Sequence, residues 1–268
     1  MNRLNSRIKL LFDTVKNINA RHENNIGTLD PADATKNCGP ELNFNSFISR
    51  FGGSEALIKG QYIKFIPHYE NAKNMIDIGC GRGFFLDLAC DHSITVTGID
   101  TSADAVDVCV KRGRYAIQSD ALSYVESLRD ESIDGIFMAH VIEHMDHAYI
   151  AKLIKAFSKK LIRGSSVVII TPNITNVIVS ASLFYIDPTH VTHIHPDYID
   201  YLLSDNGFEV ASREYYQPIV PESMKLEKLD SDPDTPMSTA ISRLNNNMEK
   251  LNEIIFGNWD FAIIAKKL

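Results

Sequence analysis

Cysteine is scarce in this chain. Cys38, Cys80, Cys90 and Cys109 are the only four among 268 residues, and none forms a CxxC pair. They read as reduced thiols of a cytoplasmic protein rather than as a disulfide frame. Long apolar runs are missing too: nothing approaches the roughly 18 uncharged residues of a membrane span. The N-terminus, MNRLNSRIKLLFDTVKN, carries charges throughout and no apolar run before a cleavage site, so it does not read as a signal peptide. Basic residues do not predominate. There are 27 Lys and Arg against 34 Asp and Glu, a net charge of −7. That balance argues against a nucleic-acid partner, whose backbone is gripped by cations. Internal repeats and low-complexity blocks are also absent. What the chain does have is 44% hydrophobic residues, too many for a disordered segment and enough for a substantial core. Histidine stands out: six of the nine lie between His140 and His195.

The hydrophobic periodicity divides the chain. Leu4, Ile8, Leu11, Val15 and Ile18 mark an amphipathic helix over residues 3–19. The Asn-, Pro-, Asp- and Gly-rich stretch 20–46 reads as a linker. Residues 1–47 are therefore expected to be a helix and linker, and 48–268 the domain proper. From residue 74 strands and helices alternate. Strands are expected at 75–78, 94–100, 115–119, 133–139 and 166–170, with helices over 84–90, 103–112 and 147–161 between them. Near-continuous apolar strands joined by helices imply a parallel sheet covered on both faces. Two later strands, 208–216 and 259–266, lack a clean crossover helix and suit an antiparallel edge pair. Between them lies an acidic stretch, then a helix over 240–255.

The chemistry concentrates after the first strand, in Asp77-Ile78-Gly79-Cys80-Gly81-Arg82-Gly83. Glycines at a strand-to-helix turn let backbone approach a ligand closely. The dinucleotide fingerprint would need glycine at 84, where Phe84 stands, and the phosphate loop GxxxxGK[ST] is absent. Asp100 closes the second strand and Asp120 the third. Either acid alone reads equally well as a helix cap. Three acids (Asp77, Asp100 and Asp120) at the ends of consecutive strands instead line the crevice where open α/β sheets bind ligands.

This ordered series, DIGCGRG, GID, SDA and then His140-Val141-Ile142-Glu143-His144, resembles the class I S-adenosylmethionine-dependent methyltransferases. The resemblance implies a Rossmann-like α/β fold: a seven-stranded, mostly parallel sheet with an antiparallel last strand and helices on both faces. It implies that Gly79, Cys80 and Gly81 lie against the methionine part of the cofactor, S-adenosylmethionine. Asp77 would orient that loop and the amino group. Asp100 would hold the ribose hydroxyls, and Asp120, with the Ala121 N–H, the adenine. Ala139 and His140 would flank the sulfonium. Outside that core, SRFGGS (49–54), Gln61-Tyr62, TPN (171–173), YIDPTH (185–190) and FGNWDFA (256–262) are similar to methyltransferases of surface-polysaccharide assembly, including O-antigen chain terminators. That group usually reads RFRGS, and Gly52 replaces its second arginine. Arg50, Gly53 and Gln61 are the candidates near the methionine carboxylate. The chain ends after the last expected strand, so the expectation is a methyl-only enzyme or one whose partners are separate chains.

The histidines supply the other half of the expected site. HVIEH also matches the inverted zinc-protease pattern. That pattern needs one helix to present both histidines, whereas here it begins at the end of an apolar strand. Transfer of a methyl group to a hydroxyl needs a nearby base, and imidazole suits that task. His140 or His190 is the expected base, oriented by Glu143, Asp187 or His144. A divalent cation held by carboxylate and imidazole near the acceptor is left open. The expected acceptor is a sugar or glycan hydroxyl, with Phe184 and Tyr185 either stacking on the sugar or filling the core. Alternatives are a small metabolite, a phosphate-bearing acceptor, or an inactive cofactor-binding subunit. Apolar stripes at Leu4–Ile18 and at Leu244, Met248, Leu251 and Ile255 suit pairing within one chain or in a homodimer.

Overall fold

The computed structural model describes residues 53–216, 223, 225–230 and 235–268, within a unit spanning Ser54–Leu268. The helix expected over 3–19, the linker expected over 20–46 and Arg50 lie outside the described residues. Ser54 caps helix α1 (Glu55–Tyr62) by accepting from the Leu57 N–H, and a 3-10 helix, Ile63–Tyr69, follows. Then come β1 (Met75–Ile78), α2 (Phe84–Asp91), β2 (Val96–Asp100), α3 (Ala103–Lys111), β3 (Ala116–Gln118) and α4 (Ala121–Ser127). The second half holds β4 (Ile133–Ala139), α5 (His147–Lys160), β5 (Leu161–Pro172), α6 (Val177–Ala181), α7 (Pro196–Asp205), β6 (Phe208–Tyr216), α8 (Ser238–Phe256) and β7 (Asp260–Lys267).

The sheet has seven strands in the order β3-β2-β1-β4-β5-β7-β6. Strands β1 to β5 are parallel, and β7 runs antiparallel to both β5 and β6. This is the expected mixed sheet. The chain crosses from β3 over to β4, which lies beside β1, so a crevice opens at their carboxyl ends, the usual ligand position in such sheets.

Strand periodicity builds two cores. In β4, Ile136 and Met138 face one layer and Phe137 the other. In β5, Val167 and Ile169 alternate with Val168 and Ile170, and β7 repeats the pattern with Ile263 and Ile264. One layer is closed by Ile150, Leu153, Ile154 and Phe157 of α5 with Ile199 and Leu203 of α7. The other is closed by Phe65, Tyr69, Phe85 and Leu86, with Phe85 stacked on Phe137 at 3.7 Å. Each such large side chain contributes roughly 1.5–3 kcal/mol on burial.

Three departures from expectation have local causes. Strand β5 begins at Leu161 rather than 166. Its register against β4 jumps from Ile133↔Leu161 to Gly135↔Ser166, with Gly164 at φ +85° in the excursion. Helix α4, one not foreseen, is nucleated by the Asp120 side chain accepting from the Ser123 N–H. Helix α7 begins where His195 Nδ1 accepts from the Asp197 N–H, with Pro196 in the first turn. Among the described residues no helix is long and apolar enough to cross a membrane.

Gly135 tests the packing of the second layer. A Cβ there would stand 2.7 Å from Tyr69 Cδ1 and 3.3 Å from Met75 Cβ. Tyr69 has no room to retreat, because its hydroxyl donates to the Ile136 carbonyl at 2.5 Å. Gly135→Ala should cost about 1–3 kcal/mol and lower the denaturant midpoint; an unchanged midpoint would show that this layer is looser than described.

Candidate functional site

The glycine turn after β1 is held by β2. The N–H groups of Gly79 and Cys80 both donate to the Ile99 carbonyl, at 2.7 and 3.1 Å, and the Gly81 N–H donates to Asp100 Oδ2 at 2.9 Å. Gly79 has φ +68°, and a Cβ there would meet Val141 Cγ2 at 2.2 Å. The loop after β1 and the loop after β4 thus touch only because residue 79 has no side chain. Cys80 turns its thiol inward. A hydrogen bond with Cys109 and burial push that thiol's pKa up, so it stays protonated. Asp100 Oδ1 accepts from the Ser102 N–H at 2.9 Å, so each of its oxygens keeps a spare lone pair.

Asp120 is a helix cap, as a lone acid in its place would be. Its second oxygen accepts from the Tyr149 hydroxyl at 2.5 Å, and Tyr149 in turn accepts from the Leu122 N–H at 2.9 Å. Ala121 is the first residue of α4, where helix geometry leaves an N–H without an intrahelical partner. Gln61 is half-buried on α1, and Gly53, at φ +81°, precedes its cap.

The histidine wall follows β4. Ala139 ends the strand, and His140 adopts left-handed backbone, φ +56°, with its N–H donating to Ile170. Non-glycine residues in this region are uncommon and concentrate at functional sites. A 3-10 turn over Ile142–His144 comes next. His140 and His144 therefore do not share a helix, and the zinc-protease reading fails on geometry. Glu143 is fully buried. Its backbone carbonyl accepts from the N–H groups of Val191 and Thr192, at 2.9 and 3.0 Å, and docks the 187–195 loop over the same edge. Its Oε2 accepts from the Thr171 hydroxyl at 3.0 Å. Its Oε1 lies 3.4 Å from His140 Nδ1 and 3.9 Å from His190 Nε2.

The acceptor-side groups lie close together, with one correction. The Asp187 side chain bonds to neither candidate imidazole, although its backbone carbonyl accepts from the His190 N–H at 3.3 Å. Its Oδ1 accepts from the Thr189 hydroxyl at 2.5 Å, and Thr189 contacts His144 Nδ1 at 2.9 Å. Phe184 is core, packed under His190 and His193, whereas Tyr185 is 63% exposed. His193 and His195 are both exposed in the segment that leads into α7.

Electrostatics separates the two candidate bases. Burial works against charge on His140, but Asp260 and then Glu143 raise its pKa to about 9. His190 moves the other way, because burial outweighs Glu143. Asp260 itself is pushed up by burial, against the pull of His140. Asp260 was not among the expected site residues. It starts β7 opposite Pro172, and only the antiparallel register brings it to this edge. Tyr62, whose phenol is raised by burial and by the charges of Asp77, Asp260 and Glu143, also faces this ring of acids.

Among the described residues, four buried side-chain polar atoms have no hydrogen-bond partner: Asp77 Oδ2, Glu143 Oε1, Tyr216 Oη and Trp259 Nε1. Buried polar groups are nearly always paired. Asp77 is near the end of β1, Glu143 follows β4, Tyr216 ends β6, and Trp259 precedes β7. All four belong to the sheet edge that carries the crevice. A family profile described as a methyltransferase domain matches residues 54–213. The chain belongs to the S-adenosylmethionine-dependent class I methyltransferases.

The methyltransferase is similar to a crystal structure of an S-adenosylmethionine-dependent methyltransferase from Archaeoglobus fulgidus. The two are 36% identical, with a TM-score of 0.78, over 84% of this chain and 100% of that one. Phosphoethanolamine N-methyltransferase 2 of Haemonchus contortus, solved with S-adenosyl-L-methionine, shares the fold at 18% identity and TM-score 0.55, over 84% of this chain and 60% of that one. A curated mouse protein, tRNA (carboxymethyluridine(34)-5-O)-methyltransferase, is 29% identical over 101 residues, which are 38% of this chain and 15% of that protein. The methyltransferase's own residues fit the cofactor. The ligand is cationic at sulfur and at its amino group, and the crevice offers an unpartnered buried carboxylate oxygen on Asp77 beside a loop without side-chain bulk.

His140 gives a direct check on this electrostatic picture. Its folded pKa lies above the ordinary 6.5. Its stabilising contribution is therefore complete below about 6.5 and lost as pH rises through about 9. An NMR titration of the imidazole should show a midpoint well above that of His190. A His140 midpoint at or below 6.5 would remove Asp260 and Glu143 as its charged neighbours.

Proposed function

We propose that this methyltransferase transfers its methyl group to an oxygen, and that the acceptor is a hydroxyl of a sugar or glycan-like molecule. The observation that carries the reading is the pair His140–Glu143 at the cofactor edge, with 39% of the His140 side chain open to solvent. In this reading Gly79, Cys80 and Gly81 present backbone to the cofactor, Asp77 accepts from its amino group, and Asp100 from its ribose. Asp120 and the Ala121 N–H serve the adenine, Arg50, Gly53 and Gln61 the methionine end, and Ala139 the sulfonium side.

The cofactor supplies one thing when bound, a methyl group on a positively charged sulfur. The chain does the rest. His140 takes the acceptor proton, so that the oxygen's electron pair forms the new O–C bond while the C–S pair stays with sulfur. A positive charge bound beside His140 opposes its own proton, which brings a base of pKa about 9 into its neutral form. Glu143 orients the ring. The exposed Tyr185 ring beside the 187–195 loop supplies a flat apolar face suited to a sugar.

A second reading has its own support. If His140 keeps its proton, it is a cation aimed at the acceptor, which favours an oxygen that is already anionic, such as a phosphate or carboxylate. The net charge of −7 weighs against a tRNA acceptor like that in the mouse relative's name. A homodimer through α8 belongs to the same proposal, supported by exposed Leu244, Leu251 and Ile254.

A radiolabelled methyl-transfer screen across free sugars, lipid-linked oligosaccharides and phosphosugars tests the acceptor. Labelling confined to hydroxyl acceptors is the expected result; labelling of phosphates or carboxylates only would replace it. With the acceptor in hand, His140→Ala should lower kcat about 10²–10⁴-fold with cofactor affinity nearly unchanged. Normal turnover in that variant would contradict His140 as the base.

A further inference from the structure

Glu143 Oε1 receives no hydrogen bond although the side chain is fully buried. The two imidazoles nearest to it on the loop side make the problem sharper. His190 Nδ1 lies 2.7 Å from the Phe184 carbonyl. A carbonyl can only accept, so Nδ1 carries the proton and, in the neutral ring, Nε2 presents a lone pair. That lone pair stands 3.9 Å from Glu143 Oε1. His144 is fixed in the same way. Its Nδ1 contacts both the Thr189 carbonyl, at 3.2 Å, and the Thr189 hydroxyl, whose own proton goes to Asp187 Oδ1. His144 must therefore donate from Nδ1, which leaves its Nε2 as an acceptor as well. On the loop side, then, the neutral His190 and His144 rings offer Glu143 Oε1 no proton; the His140 imidazole, 3.4 Å away, approaches it from the β4 side.

We infer that Glu143, His144 and His190 are the protein ligands of a first-row divalent cation, with zinc the best match, seated on the acceptor side of the methyl-transfer site. One potential ligand atom from each of the three residues lies within 4.8 Å of the others. Tetrahedral ligands about 2.1 Å from a shared ion stand about 3.4 Å apart, so side chains at the rim need to draw in by up to about 1.4 Å. Two imidazoles and one carboxylate are donors for zinc or its neighbours in the transition series; magnesium and calcium prefer an all-oxygen shell. Metal-binding histidines regularly donate their second N–H to a carbonyl or to a carboxylate-linked partner. Here the Phe184 carbonyl does this for His190, and Thr189 with Asp187 does it for His144. Thr171 holds the other oxygen of Glu143 in the same supporting way. Three protein ligands leave a coordination position open, and an acceptor oxygen is the group available to fill it. That last role rests on the oxygen-methylation reading above; the binding site does not.

The site is tested on the full, tag-free chain after chelator treatment and dialysis, with neither cofactor nor acceptor present. Zinc chloride is titrated calorimetrically, and cobalt chloride is followed by its visible absorption. One saturable site per chain is expected, with cobalt bands characteristic of mixed imidazole and carboxylate ligation. His144→Ala and His190→Ala should each weaken binding at least about tenfold while still binding S-adenosylhomocysteine, which shows that they fold. Glu143→Gln is a further variant, with the same binding check because its side chain is buried. Absence of saturable uptake at millimolar metal, or uptake that both histidine variants leave unchanged, would overturn the inference. An acceptor screen that finds no oxygen methylation would remove the proposed function and leave this titration fully readable.

Discussion

Glu143 is the interaction on which the acceptor side of this structure depends. Taking a carboxylate out of water is costly unless partners replace the lost hydration. Here the carboxylate's partners are Thr171 from β5 and His140 from the end of β4, while the 187–195 loop is held separately by the Glu143 backbone carbonyl. Burial works against its charge, yet the interaction with His140, joined by His144, holds its pKa below the usual carboxylate range. A charged group is thus kept at the bottom of the crevice with one oxygen unsatisfied, a local cost that binding can repay.

The cofactor side rests on a different constraint, the close approach of two loops. Gly79 and Val141 come so near that no side chain fits at 79, and this contact sets the β1 turn beside the β4 turn. Burial, with Cys109 and Asp100 nearby, raises the Asp77 pKa well above the ordinary carboxylate value and leaves its Oδ2 unpartnered. The crevice therefore carries two unsatisfied carboxylate oxygens on adjacent strands, Asp77 on β1 and Glu143 after β4, with Asp260 close by. A ligand positive at two points fits such a surface. The fold supplies the placement, since β1 and β4 become neighbours only because the chain reverses its strand order there.

Much of this was legible in the sequence because it is local. The strands expected at 133–139 and 208–216 match those observed end to end, and the glycine spacing after Asp77 marked the turn. Other parts were hidden because they depend on distant contacts. Asp260 joins the site only through antiparallel pairing of β7 with β5, which no local pattern encodes. Asp120 looked like one of three equivalent acids, but its side chain also caps α4 and accepts from Tyr149. HVIEH resembled a protease helix because five letters carry no backbone angles; the left-handed His140 separates the two histidines.

The central claim is that the unsatisfied carboxylates of this edge, Asp77 first, receive the positive charge of the cofactor. His140, raised by its acidic neighbours to about 9, holds a proton near neutral pH that a bound cation displaces, and burial shifts Asp77 in the same direction. Calorimetric titration of S-adenosylmethionine near neutral pH, in buffers of different ionisation enthalpy, measures those protons directly. The account predicts net proton release on binding, reduced together with affinity in Asp77→Asn. Binding without proton release, or an Asp77→Asn variant indistinguishable from the parent, would contradict it.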